Sequence, residues 1–68
     1  MINSKIIGER IKEAREKKEL SQRALADKLG ITQPAIVQWE KGIKIPNTLM
    51  MNALADALCV TTDYLNGR

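Results

Sequence analysis

Apolar side chains recur along this chain at intervals of three and four residues, and no segment alternates apolar and polar positions as a strand does. The first periodic segment runs from about Ser4 or Lys5 to Lys18. Its apolar positions on one helical face are Ile7, Ile11 and Ala14. Charged residues fill most of the remaining surface, so the pattern predicts an amphipathic helix.

Capping residues and glycines divide the middle of the chain into two more short helices. The second helix is predicted to follow the N-cap Ser21 and to stop at Gly30. The third is predicted to follow the N-cap Thr32 and to run to about Lys41, before Gly42.

Two further helices complete the pattern. The fourth is predicted from about Asn47 or Thr48 to Leu58, and its apolar stripe consists of Met51, Leu54, Ala55 and Leu58. The fifth is a single turn that follows the cap Thr61 and is closed by Gly67. The expected fold class is therefore all-α, a compact bundle of five short helices.

Length and charge limit the possibilities further. A chain of 68 residues forms one small domain, 1–68, because chains of this size bury only about 60% of their unfolded surface. Eleven Lys and Arg residues against eight Asp and Glu give a net charge of +3. This excess suits either a polyanionic partner or a mildly basic solvated surface, and only the placement of the charges separates the two.

Several classes of function lose support from what the sequence lacks. There is no His, Cys59 is the single cysteine, and no Ser or Cys lies beside a candidate base. We therefore predict no catalytic residues, no metal site, no cofactor, no small-molecule ligand and no disulfide. No apolar run approaches the roughly 20 residues of a membrane span, so we expect a cytoplasmic protein. Cys59 is predicted to be a small apolar residue at a helix end, with a redox sensor as the alternative.

The second and third helices are separated by three residues, which predicts a helix-turn-helix unit over about 21–41. At about 100° per residue, the inward face of the third helix holds Ala35, Ile36 and Trp39. Its outward face holds Gln33, Pro34, Val37, Gln38 and Lys41.

This outward face has the chemistry of base contacts in a major groove. A Gln amide can pair with the N6 and N7 edge of adenine, and an apolar group can contact a thymine methyl. The alternative is that Gln33 and Gln38 are ordinary solvated residues. Pro34 costs little in the first turn of a helix, where we expect the Thr32 hydroxyl to cap the Ala35 amide, and we predict that its ring contacts a thymine methyl.

A buried ion pair is predicted between the first and third helices. The helical wheel places Glu40 at the edge of the inward face, where an unpaired carboxylate is costly. Arg15 lies one turn beyond Ile11, at the margin of the core face of the first helix. We therefore predict an Arg15–Glu40 pair.

The segment SQRALADKLGITQPAIVQWEKGIKIP, followed by LADALCVTTDYL, resembles the helix-turn-helix domain of lambdoid-phage repressors and Cro proteins. The resemblance covers about residues 7–67. It implies a lambda-repressor-like transcriptional regulator that binds double-stranded palindromic operator DNA as a homodimer, with the third helix in the major groove.

The resemblance also implies roles for individual residues. Gln33 and Gln38 occupy base-contacting positions, and so does Pro34, while Arg15 and Glu40 match the family's buried ion pair. Gln22 is expected to contact a phosphate and to brace Gln33. Further phosphate contacts are expected from the Lys41 and Lys44 side chains and the Gly42 and Ile43 amides.

Two positions depart from the family pattern. Val37 replaces a frequently polar residue and favours a methyl contact, and Ala24 leaves the second helix without a capping-box Glu. The dimer surface is expected near the chain end, where Val60, Tyr64 and Leu65 belong either to this surface or to the core.

The biological setting stays open. The chain is either a Cro-like single-domain protein or the DNA-binding part of a longer one. The same fold also serves antitoxins and restriction-modification controllers, and a protein-interaction module that does not bind DNA is the alternative of another class.

Overall fold

Five α-helices make up the computed structural model, which describes residues 3–68 and has no strand within them. Their bounds are α1 Ser4–Lys17, α2 Gln22–Leu29, α3 Gln33–Glu40, α4 Thr48–Leu58 and α5 Thr62–Leu65. The predicted all-α bundle is confirmed, and the ends of α1 to α4 agree with the sequence pattern to within one residue. Across residues 3–68, every helix is too short or too polar to cross a membrane.

Side-chain caps begin four of the five helices. At the predicted caps, the Ser21 hydroxyl oxygen accepts a hydrogen bond from the Ala24 amide at 2.9 Å, and the Thr61 hydroxyl oxygen accepts one from the Tyr64 amide at 3.0 Å. Asn3 and Asn47 cap α1 and α4 in the same way. These bonds satisfy amides that have no partner inside the helix.

The predicted cap of α3 by the Thr32 hydroxyl is wrong. The Thr32 side chain makes no capping hydrogen bond, and the Ala35 amide donates to the Thr32 carbonyl oxygen at 3.2 Å. The Thr32 carbonyl oxygen thus accepts the hydrogen bond from the Ala35 amide that the Thr32 hydroxyl was expected to accept. Pro34 lies in this first turn, as predicted, where its missing N–H removes no hydrogen bond within the helix.

The apolar stripes of all five helices meet in one core. Its fully buried large side chains are Ile7, Ile11, Leu25, Ile36, Leu54 and Leu65. Of the two alternatives for Leu65, a dimer surface or the core, the structure shows the core, because α5 turns this side chain inward between α1 and α4. Val60 and Tyr64 pack against the core but stay partly exposed.

Two helices end in a left-handed residue that is not glycine. Cys59 has φ 58° after α4, and Glu19 has φ 57° after α1. The next amide along, that of Val60 or Leu20, donates back into the helix at 3.0 or 3.1 Å. The predicted ends at Lys18 and Leu58 are close to the observed ones, but the left-handed residue after each was not predicted, because the pattern assigned that conformation to glycines.

A close approach between α1 and the end of α3 determines how the two helices pack. A methyl group on Gly8 would overlap the carbonyl oxygen of Trp39 and lie 2.6 Å from that of Glu40. Gly8 is buried, so the absence of a side chain allows the backbone of α1 to rest on the last carbonyls of α3. The signal was available, since a glycine inside a helical pattern costs about 1 kcal/mol relative to alanine and needs a packing reason.

Candidate nucleic-acid interface

The two faces of α3 differ as predicted. Ile36 and Trp39 are 0% and 8% exposed and anchor the inward face, while Ala35 is half-buried. Gln33, Pro34 and Lys41 are exposed on the other side. An open cleft on that side is lined by Gln33, Pro34, Val37, Gln38, Lys41 and Ile43. The four predicted base-contacting residues therefore share one accessible surface.

The predicted ion pair between α1 and α3 is confirmed. Arg15 Nε lies 2.7 Å from Glu40 Oε2, and Arg15 Nη2 lies 3.2 Å from Oε1. The two side chains are only 11% and 4% exposed. Arg15 Nη1 also donates to the Leu20 carbonyl oxygen at 2.8 Å. One guanidinium thus joins α1, the turn that leads to α2 and the end of α3.

Arg15 is held in its protonated, positively charged form. Its hydrogen bond with Glu40 raises the pKa of the guanidinium above its ordinary value, and this effect outweighs the opposing effect of burial. Because Arg15 stays protonated, the Glu40 carboxylate has a positively charged partner at every pH at which the protein is folded.

Gln22 belongs to the same network. Its Nε2 donates to Glu40 Oε1 at 3.1 Å, which fixes the start of α2 against the end of α3. No hydrogen bond joins Gln22 to Gln33 within residues 3–68, and the brace between them on DNA stays a prediction. A carboxylate is a stronger acceptor than an amide oxygen, so Glu40 holds the Gln22 amide. Helical periodicity did not indicate this partner, because an uncharged amide, unlike a buried carboxylate, does not require a partner of opposite charge.

The segment 41–44, here called the Gly42 loop, closes the end of α3. Gly42 has φ 75°, its amide donates to the Trp39 carbonyl at 3.1 Å, and the Ile43 amide donates to that of Gln38 at 2.9 Å. These two amides were expected to bind phosphates, and that part of the prediction is wrong because the helix end uses them. Ile43 is nevertheless 66% exposed, beside the cleft.

The lysines of the Gly42 loop remain available. Lys41 and Lys44 are exposed, and the ion pairs within residues 3–68 are Arg15–Glu40 and Arg68–Asp63. The loop thus places two uncompensated positive charges next to the predicted base-contacting face. This arrangement suits a strand of phosphates alongside a groove.

Other residues singled out by the sequence lie elsewhere. Tyr64 donates to Glu13 Oε2 at 3.4 Å and stacks under the Arg10 guanidinium, whose Cζ is 4.8 Å from the ring centre. Cys59 is exposed, and its Sγ accepts a hydrogen bond from Lys18 Nζ at 3.3 Å. Within residues 3–68 no cluster of three His, Cys, Asp or Glu side chains could hold a metal ion.

Known proteins of similar sequence and structure include a phage repressor and a restriction-modification controller protein. The Repressor protein C2 of Salmonella phage P22 is 39% identical over 64 residues, which are 94% of this chain and 30% of that protein. The structure of the P22 c2 repressor in complex with a synthetic operator superposes with a TM-score of 0.83, at 41% identity over 87% of this chain and 89% of that one. The restriction-modification controller protein C.AhdI from Aeromonas hydrophila superposes at 0.84, with 29% identity over 91% of this chain and 94% of that one.

The similarity covers most of this chain but only part of each curated relative. This chain spans between 30% and 56% of the length of the curated relatives it matches. The helix-turn-helix family model matches residues 11–65, which include all of α2, α3 and α4 and the buried network around Glu40. The predicted resemblance to phage repressors and Cro proteins is thereby confirmed, and the chain belongs to the HTH_3 helix-turn-helix family.

Proposed function

We propose that this chain is a sequence-specific DNA-binding transcriptional regulator, a phage or prophage repressor or Cro-like protein that binds a palindromic operator as a dimer. The observation that carries the proposal is the outward face of α3, where Gln33, Pro34, Val37 and Gln38 share one accessible surface. The Arg15–Glu40 pair fastens the end of this helix to α1 from the opposite side. The operator complex of the similar P22 c2 repressor supports the same interpretation.

The base contacts follow from the chemistry of this face. Gln33 and Gln38 each offer a donor and an acceptor, which suits the N6 and N7 edge of adenine. Pro34 and Val37 offer only carbon, which suits the methyl group of thymine. The preferred half-site is therefore rich in A·T pairs at the positions under α3.

Phosphate contacts position this face without selecting sequence. Lys41 and Lys44 provide the charges beside α3, and Gln22 has a second amide N–H left after its bond to Glu40. Because their amides close the helix, Gly42 and Ile43 contribute the shape of the loop and the exposed Ile43 side chain.

Dimerisation supplies the remaining specificity. One domain contacts too few base pairs, and two half-sites about 34 Å apart would place two copies on one side of the duplex. The partly exposed Val60 and Tyr64 are the candidates for the contact between copies. Since its ligand is chromosomal or phage DNA, we infer a cytoplasmic site of action, and the proposed activity is binding without a chemical step.

Two alternatives use the same surface. The likeness to C.AhdI favours a restriction-modification controller or an antitoxin-like autoregulator as the biological role, with unchanged DNA-binding residues. A protein-interaction module would instead use the cleft of α3 for a peptide or a protein surface. The lysines on its border oppose that second alternative, because they match phosphates better than an apolar partner.

Selection of bound duplexes from a random pool tests the proposal. We expect a two-fold symmetric consensus with half-site centres one helical turn apart. In gel shifts, Gln33→Ala and Gln38→Ala should lose preference for the consensus while retaining weak binding to random DNA. Asn52→Ala is the matched control, because Asn52 is exposed on α4, outside the cleft. Recovery of no consensus would refute the proposal.

A further inference from the structure

The first turn of α1 lies directly against the Gly42 loop. A Cβ atom on Gly42 would be 3.2 Å from Lys5 Cα, 3.3 Å from Lys5 N and 3.4 Å from the Ser4 carbonyl oxygen. Lys5 precedes Gly42 by more than half of the chain, so no periodic pattern could place these two residues together. The packing of Gly8 on the end of α3 brings them into contact.

The backbone of this turn is well fixed. Asn3 Oδ1 accepts the Lys5 amide at 3.0 Å and the Ile6 amide at 3.2 Å. The cap therefore uses the Lys5 and Ile6 amides, so an anion next to Lys5 would be held by its side chain.

The side chain placed to hold such an anion is that of Lys5. It is exposed, and no carboxylate of residues 3–68 pairs with it, since the ion pairs there are formed by Arg15 and Arg68. Its Cα lies beside the loop that carries Lys41 and Lys44, and its flexible four-carbon stem gives the ammonium a range of positions around that loop. Three lysines without an ion-pair partner in residues 3–68 thus lie on two adjacent stretches of backbone, the first turn of α1 and the Gly42 loop.

We propose that Lys5 is a phosphate-contacting residue, which extends the DNA interface from the Gly42 loop onto the first turn of α1. The inference rests on the proposed DNA-binding function and adds a second structural element to it. Lys5 attracts the backbone without contacting base edges, so it contributes to affinity and salt dependence but not to sequence preference.

The salt dependence of DNA binding tests this inference. Dissociation constants for the selected operator and for a random duplex of equal length are measured between low and moderate salt. Lys5→Gln should lower the slope of log affinity against log salt by about 0.9 on both duplexes, the value expected for one lost phosphate contact. Lys5→Arg keeps the charge and should retain the wild-type slope.

Lys17→Gln is the matched control. It removes the same charge from an exposed position on α1, but about 18 Å further along the helix and about 120° around it. An unchanged slope for Lys5→Gln would overturn the inference. So would an equal loss in Lys17→Gln, because the effect would then reflect net charge alone.

Failure of the proposed function has a different signature. If wild-type protein does not distinguish the operator from random DNA, sequence-specific regulation is refuted, while the slopes on random DNA still decide the role of Lys5. If the wild type binds neither duplex, both proposals are overturned. Thermal unfolding of Lys5→Gln should match that of the wild type, because the side chain is exposed and unpaired in residues 3–68.

Discussion

Replacing Gly8 by alanine adds one methyl group at the crossing of α1 and α3. In an exposed helix this change is stabilising by about 1 kcal/mol, because alanine has the higher helix propensity. Here the methyl would overlap the Trp39 carbonyl oxygen and lie 2.6 Å from the Glu40 carbonyl oxygen and 2.9 Å from its carbon. These are backbone atoms of a helix end, so they cannot rotate away as a flexible side chain would.

The packing cost should exceed the gain in propensity. Ordinary contact requires about 3.5 Å, so α1 and the end of α3 must separate by about 1 Å. Overpacking of this kind costs about 1–3 kcal/mol, and the same movement stretches the Arg15–Glu40 hydrogen bonds, whose Nε–Oε2 distance is 2.7 Å. An overpacking cost of about 2 kcal/mol and about 1 kcal/mol for the stretched hydrogen bonds, less the propensity gain of about 1 kcal/mol, give a net loss of about 2 kcal/mol. This is a large share of the roughly 5 kcal/mol available to a domain of this size.

Thermal unfolding followed by helical circular dichroism measures this loss. A change of 2 kcal/mol should lower the melting temperature of Gly8→Ala by about 10 °C. Gly30→Ala is the comparison, because Gly30 has φ 71° and nothing within 4 Å of the added carbon, so it reports backbone strain without overlap. A Gly8→Ala protein that melts at or above the wild-type temperature would refute the packing argument.

Three other changes address the buried network, a helix end and the base contacts. Glu40→Ala should destabilise the fold by about 3 kcal/mol, because it leaves Arg15 charged and 11% exposed without its partner. Denaturant unfolding measures this, and an Arg15→Met/Glu40→Met double variant should be less destabilised. Cys59→Gly should raise stability by about 0.5 kcal/mol, since it relieves a left-handed residue at φ 58°. Cys59→Ala keeps this conformation and should show no such gain in thermal unfolding. Uracil in place of the thymine under Pro34 should weaken operator binding by about 1 kcal/mol or less in titrations, and unchanged affinity would exclude the methyl contact.

Most of the fold was predictable from local signals. Ser21 and Thr61 start helices because their hydroxyls accept amides three residues ahead, at 2.9 and 3.0 Å. Gly30 and Gly42 end helices because they adopt positive φ easily. Glu19 and Cys59 adopt the same conformation without a glycine, so the left-handed residues after α1 and α4 are not evident from sequence, although the ends of these helices are.

The candidate site was predictable only in part. Charge and burial predicted the Arg15–Glu40 pair, since a carboxylate on an inward face needs a partner. The occupied amides of Gly42 and Ile43, by contrast, depend on how the end of α3 closes. The bond from Gln22 to Glu40 depends on how α2 docks there.

The sequence by itself determined the five helices, the inward and outward faces of α3 and the family, because each depends on residue types within a few turns or on a contiguous motif. Only the tertiary structure decided which groups meet across the bundle. Gly8 lies on the carbonyls of α3, and Lys5 lies beside the Gly42 loop, at distances along the chain that no helical period spans. A backbone approach of this kind is set by the packing of whole helices. For this reason the outward face of α3 was evident from sequence, whereas the residues of α1 that lie beside the Gly42 loop were not.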